Sequence, residues 1–176
     1  MTQTYPYPTG QQTAAAGLGE LVARLAGVET TLAETTTDVD VRVAPSALLA
    51  LATTLRDHAD LRFDFLRNVS GVDYEADGMA LKYHLYSFTH GHALQVSVPT
   101  AAGHPHVPSL VSLYPAADWF EREASEMFGF QFDGHPNLRN LLLEEDLHIH
   151  PLLKAHPLQA AELLQGIESG PPGFTI

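Results

Sequence analysis

The chain has 176 residues, no cysteine, 45% apolar residues and a formal charge of −12. That length and apolar content support one domain with a core, with or without tails. The acidity argues against nucleic acid and anionic lipid as partners, because both call for clustered Lys and Arg. The missing thiols exclude disulfides, thiolate-held zinc or iron–sulfur clusters and a thiol nucleophile.

Residues 1–12 are polar and carry Pro6, Pro8 and Gly10, which predicts a mobile N-terminal arm. They show neither the basic nor the apolar part of a signal peptide, and no apolar run approaches the roughly 20 residues that span a bilayer. The expectation is a cytosolic protein, or one held at a membrane only through partners. From Thr13 to Gly27, Leu18, Leu21, Val22 and Leu25 recur at helical spacing. Val39 to Val43 alternates as a strand. Pro45 and Ser46 open a second helix, Leu48 to His58, with Leu48, Leu51 and Leu55 on its buried stripe. Three strands follow, over Leu61–Val69, Met79–Phe88 and Ala93–Val98, parted by turns at Ala76-Asp77-Gly78 and Thr89–His92. They predict an antiparallel meander. The expected fold class is α+β: an antiparallel or mixed sheet with helices on one face.

Pro108 to Leu113 is expected to be a short helix. A further helix, Trp119–Phe128, is expected to start at Asp118 as N-cap with Glu121 as capping-box partner, and to stop at Gly129. Arg122 stands four residues from both Asp118 and Glu126 and is expected to pair with either. Beyond Gly129 periodicity fades, and Leu141–Leu143 is an apolar triplet with no evident strand partner. The resulting division is an arm at 1–12, an α+β domain at 13–133 and an extended partner-binding tail at 134–176.

Two chemical readings are weighed against docking. Paired carboxylates can act as general acid and base, but Glu121 and Glu123 point to different faces of a helix, and no nucleophile or metal ligand accompanies Glu123 and Glu126. Ten histidines invite a metal. His104 with His106, and His148 with His150, share one side of extended chain, yet neither pair is a helical H-E-x-x-H site. No phosphate-binding glycine loop, nucleophile elbow or dinucleotide fingerprint is present. Mixed charge and aromatics from Glu121 to Arg139 fit a protein–protein surface better.

The same stretches carry a resemblance. Leu61-Arg-Phe-Asp-Phe-Leu66 with Gly71–Tyr74, Val107–Leu110, Ala117–Glu123, Gly134–Arg139 and His150–Leu152 resemble, in order and spacing, the C-subunit family of bacterial NADH-quinone oxidoreductase, respiratory complex I. The likeness covers roughly residues 60–158. The chain departs from the pattern at Glu126, where the family has Asp, at Asn140, where it has Arg, and over Leu153–His156. The resemblance implies a non-catalytic structural subunit of the peripheral arm of a proton-translocating complex, peripheral on the cytoplasmic side of the membrane. It implies that this chain holds no cofactor or metal. Partner subunits would carry the iron–sulfur clusters, and the large, hydrogenase-like subunit and the small iron–sulfur subunit would be its neighbours. Homologous subunits occur in membrane-bound nickel–iron (NiFe) hydrogenases, which is the alternative. The implied interface residues are Trp119, Glu121, Arg122, Glu123, Glu126, Phe128, Gly129, Phe132, Gly134, His135, Pro136, Leu138, Arg139, His150 and Pro151. Among them His135 is expected to bond a partner and Arg139 to reach a carboxylate, across the interface or locally.

Overall fold

The computed structural model describes residues 11–33, 39–103, 105–144 and 149–155. Most of the expected arm, His104, His148 and the end of the tail lie outside these residues. In chain order the described elements are α1 (Gln11–Leu25), β1 (Thr31–Ala33), β2 (Asp40–Arg42), α2 (Leu48–Asp57), β3 (Phe65–Asp73), β4 (Met79–Ser87), β5 (His92–Thr100), β6 (His106–Pro108), α3 (Ala117–Phe128) and β7 (Gln131–Asp133). The fold is α+β, as the residue pattern predicts.

β3, β4 and β5 form the antiparallel meander, with Val69 opposite Tyr83 and Tyr83 opposite Val96. The sheet is mixed because β2 adds parallel to β5, and β1 then pairs antiparallel with β2. A buried polar node laces this junction. Ser97 Oγ of β5 donates to Asp40 Oδ1 of β2 at 2.6 Å, and Lys82 Nζ of β4 donates to Ser97 Oγ at 2.7 Å, 3.3 Å from Asp40 Oδ2. Buried polar groups are tolerated when bonded in this way.

The helices cover one face. Leu18 and Val22 of α1 and Leu48, Leu51 and Leu55 of α2 share one core with Val41, Val69, Leu81, Tyr83, Leu85, Leu94, Val96 and Val98 of the sheet. α3 lies over β3 on the same face, with the Phe128 ring seated on Gly71. The first strand of the meander starts later than its alternation suggests. Leu61 and Phe63 are buried, but they precede β3 in a turn where Arg62 has φ +46°. A bulge between Leu66 and Asn68 then resets the register.

The expected helix at Pro108–Leu113 is not formed. Val107 lies in β6, which pairs parallel with β7, and the chain then turns, with Leu113 and Tyr114 N–H on the Leu110 carbonyl. The Leu110 N–H goes instead to the Glu121 carboxylate. The Asp118 cap is also corrected: α3 begins at Ala117, and Ala116 flanks it with no side-chain cap. Asp118 falls inside the first turn, where a carboxylate still favours the helix dipole. At the other end Gly129 takes the left-handed stop, φ +83°, and donates to the Ser125 carbonyl.

A Cβ at Gly71 would overlap the Phe128 ring, so Gly71→Ala must displace α3 from the sheet. The expected loss is about 2–3 kcal/mol of stability, read by urea unfolding; an unchanged midpoint would contradict this seating.

Candidate functional site

α3 and the chain on either side of it form the site. Its charged residues face two ways. Glu121 is fully enclosed and looks back along the chain, where Ser109 Oγ donates to Oε2 at 2.6 Å and Leu110 N–H to Oε1 at 2.7 Å. Burial pushes its carboxyl up to about 7, against the opposing pull of those two bonds, with nearby Asp118 adding to the rise. The Tyr83 hydroxyl is buried without a hydrogen bond among the described residues, and burial, then the charge of Glu121, raises its pKa well above the ordinary value.

Asp118, Arg122 and Glu126, at i, i+4 and i+8, form one stripe that looks forward. Each level of this stripe receives a later piece of chain. His135, its side chain enclosed, donates from Nε2 to the Asp118 carbonyl at 3.1 Å, while Nδ1 accepts the Asn137 N–H at 3.0 Å. Arg122 donates from Nε to the Arg139 carbonyl at 2.9 Å and from Nη2 to the Asn140 carbonyl at 2.7 Å. Its guanidinium carbon lies 5.8 Å from the centre of the Trp119 ring. Glu126 accepts Leu142 N–H at 3.0 Å and Leu143 N–H at 2.5 Å. His150 Nδ1 donates to the Glu126 carbonyl, and Leu152 N–H to the Met127 carbonyl. Residues 135–144 and 149–152 therefore lie along α3 as a strap, and beyond them Lys154 N–H donates to Asp73 Oδ2.

This arrangement corrects the residue-level reading. Arg122 pairs with neither Asp118 nor Glu126, because two backbone carbonyls seventeen and eighteen residues away take its donors. Glu121 makes no capping box. His135 bonds within the chain through both ring nitrogens. Helical spacing shows which side chains are neighbours, but not which distant backbone groups arrive beside them. Gly129 and Phe132 are buried, Phe128 and Leu138 pack against the core, and His150 and Pro151 are half-buried. Trp119 (61% exposed), Glu123, Gly134, Pro136 and Arg139 lie on the surface. Leu142 (65% exposed), Ile149 and Leu152 join them from the strap. The Leu141–Leu143 triplet was the signal for Leu142, and Leu152 closes the His150–Leu152 stretch of the family resemblance. Among the described residues no three of His, Asp and Glu converge on a metal position.

Residues 41–162 match the family model of the respiratory-chain NADH dehydrogenase 30 Kd subunit, more than half of the chain. The chain belongs to that family. A relative from Roseiflexus castenholzii, the C-type subunit of its NADH-quinone oxidoreductase, is 42% identical over 128 residues, covering 72% of this chain and 74% of the relative. The corresponding NADH-quinone oxidoreductase protein of Salinispora tropica is 37% identical over 139 residues, 77% of this chain and 57% of that longer protein. Two solved structures share the fold. A trypsin-resistant fragment of Nqo5 has a TM-score of 0.55 at 21% identity, covering 69% of this chain and 98% of the fragment. A chain of the archaeal membrane-bound sulfane sulfur reductase, a respiratory membrane complex, has a TM-score of 0.72 at 16% identity, covering 93% of this chain and 96% of that one. The family match takes in α3 and all of the strap.

The folded Glu121 holds a proton that the unfolded chain, with its carboxyl at 4.5, releases. Its contribution to stability is full below about pH 4.5 and is lost as pH rises through about 7. Glu121→Gln should flatten this slope, which spans on the order of 3 kcal/mol, in urea titrations from pH 5 to 8; an unaltered slope would exclude Glu121 as its source. Arg122→Ala frees the carbonyl of the Arg139–Asn140 bond. Trypsin should then cut that bond about tenfold faster at unchanged helix content, and equal cutting rates would show that Arg122 does not fasten the strap.

Proposed function

We propose that the chain is a non-catalytic, structural subunit of the peripheral arm of a proton-translocating NADH-quinone oxidoreductase. It docks on the large, hydrogenase-like subunit near the quinone-reducing module, beside a small iron–sulfur subunit. The observation that carries this reading is the strap: α3 fixes an irregular backbone so that Leu142 and Leu152 stand outward, on the same helix that exposes Trp119. Apolar side chains held rigidly in the open suit an interface centre. The naming of the 37–42% identical relatives as parts of an NADH-quinone oxidoreductase supports the choice of complex. In this reading the chain binds no cofactor of its own, and partner subunits hold the iron–sulfur clusters. Among the described residues no helix is long and apolar enough to cross a membrane, and the chain is placed on the cytoplasmic side, peripheral, through its partners.

The alternative is the equivalent subunit of a membrane-bound nickel–iron hydrogenase. The shared fold with a chain of a different respiratory membrane complex keeps this reading in view, and so do the departures at Asn140 and Leu153–His156. Nickel-binding cysteines in the neighbouring large-subunit gene favour the hydrogenase, and their absence favours the quinone reductase.

Leu142→Asp should lower recovery of the tagged complex from solubilised membranes by about tenfold or more, with the isolated chain's melting unchanged because Leu142 makes little core contact. Recovery of wild-type chain only as a free monomer would overturn the subunit reading.

A further inference from the structure

The bonds that lay the strap along α3 reach Leu152, whose N–H donates to the Met127 carbonyl at 3.1 Å. Two residues on, the chain meets the sheet. Asp73 closes β3, and its carboxylate receives two backbone groups: Oδ1 accepts the Glu75 N–H at 2.8 Å, and Oδ2 accepts the Lys154 N–H at 2.9 Å. The Lys154 bond, then the Glu75 bond, hold the Asp73 carboxyl below its ordinary range. A second contact lies beside the first, with Lys154 Nζ 3.3 Å from Glu75 Oε1. Lys154 is thus held by main chain and side chain at once, on two carboxylates at the β3–β4 turn.

Glu75 bears a cost in this arrangement. Its φ is +59°, in the left-handed region where a Cβ crowds the following carbonyl. The turn imposes that conformation: Tyr74 N–H donates to the Gly78 carbonyl at 2.9 Å and Gly78 N–H to the Glu75 carbonyl at 3.2 Å. Gly78 cannot give way, because a Cβ there would lie 2.5 Å from the Thr100 carbonyl oxygen. Glycine would take the Glu75 conformation freely, and asparagine more readily than glutamate. What glutamate supplies there, and glycine would not, is the carboxylate beside Lys154. Packing alone does not hold this stretch of chain. Beside Leu153 and Lys154 lies a cavity of about 460 Å³ that Met79 and Ala102 also line.

We propose that Asp73 and Glu75 form a clamp that anchors the chain just after the strap and so positions Leu152 on the docking face. Glu75 is a positioning residue: it accepts backbone strain, and its carboxylate reaches Lys154. An exposed ion pair is worth little alone, but here it adds to a charge-assisted bond on the same residue. With Leu152 N–H fixed on α3 and Lys154 fixed on the sheet, the residues between them have both ends held, and the outward direction of Leu152 is set. This role rests on the subunit reading given above and names the device that shapes one end of its surface.

The experiment reads amide hydrogen exchange at Leu152 and Lys154 in the full-length chain, its urea midpoint, and recovery of the tagged complex from solubilised membranes. Glu75→Gly relieves the strain and removes one jaw. The expected result is a midpoint no lower than wild type, exchange of both amides about threefold faster, and complex recovery about threefold lower. Asp73→Ala removes both jaws and should speed exchange about tenfold. Glu75→Lys combined with Lys154→Glu should restore exchange and recovery, whereas Lys154→Glu alone should not; a role for Glu75 in the turn only would show no such rescue. Unchanged exchange in Glu75→Gly, or no rescue by the charge swap, overturns the clamp. Faster exchange at unchanged recovery, where Leu142→Asp still lowers recovery, overturns the positioning of the docking face and leaves the subunit reading standing. Unchanged recovery in both Glu75→Gly and Leu142→Asp overturns that reading as well.

Discussion

The stripe Asp118–Arg122–Glu126 is the constraint on which the outer surface depends. The strap from 135 to 152 has no sheet ladder or helix among its described residues, so its backbone groups need partners from elsewhere. The stripe supplies them at successive turns of α3, and the strap's outward leucines inherit their positions from that scaffold. Charge-assisted bonds to backbone groups suit this task because they hold the main chain and leave the side chains outside. The same residues, read as an ion-pair ladder, would have left the strap unheld.

α3 can serve as a scaffold only if it is itself seated. Three contacts seat it: Phe128 on Gly71, the Glu121 carboxylate on Ser109 and Leu110, and Gly129 in the turn into β7. Glu121 is the least comfortable of these. Its charge is disfavoured by burial beside an unbonded Tyr83 hydroxyl, and two donors offset only part of that cost. An apolar residue would avoid that cost, but it would leave the Leu110 N–H without its acceptor. A buried carboxylate thus fixes the turn ahead of α3, while its neighbour Arg122 fixes the strap behind it.

Much of the architecture was legible from residue patterns. Alternation located β4 and β5 closely, the Leu48/Leu51/Leu55 stripe located α2, and Gly129 marked the end of α3. The misreadings share one cause. Leu61 and Phe63 alternate like a strand but bury their side chains in a turn; Ser109 and Leu110 read as helix until Glu121 takes their polar groups; β1, β6 and β7 are three residues each, too short for a period to register. Residue patterns read Glu121 and Arg122 as partners of other residues of their own helix and His135 as a bond to another protein, whereas all three bond to groups elsewhere in the same chain.

Local order alone settled α1, α2 and α3 as helices and β4 and β5 as strands, how their apolar faces are set, and that no thiol chemistry is available to the chain. Those properties follow from side-chain period and composition, which are written along the chain. The parallel entry of β2 beside β5, the inward turn of Glu121 and the delivery of the Arg139 and Asn140 carbonyls to Arg122 were decided only by folding. Each joins groups far apart in sequence, and a hydrogen bond to a backbone carbonyl leaves no mark in the identity of the residue that owns it. For that reason the charged stripe of α3 was visible from the start, but its task was not.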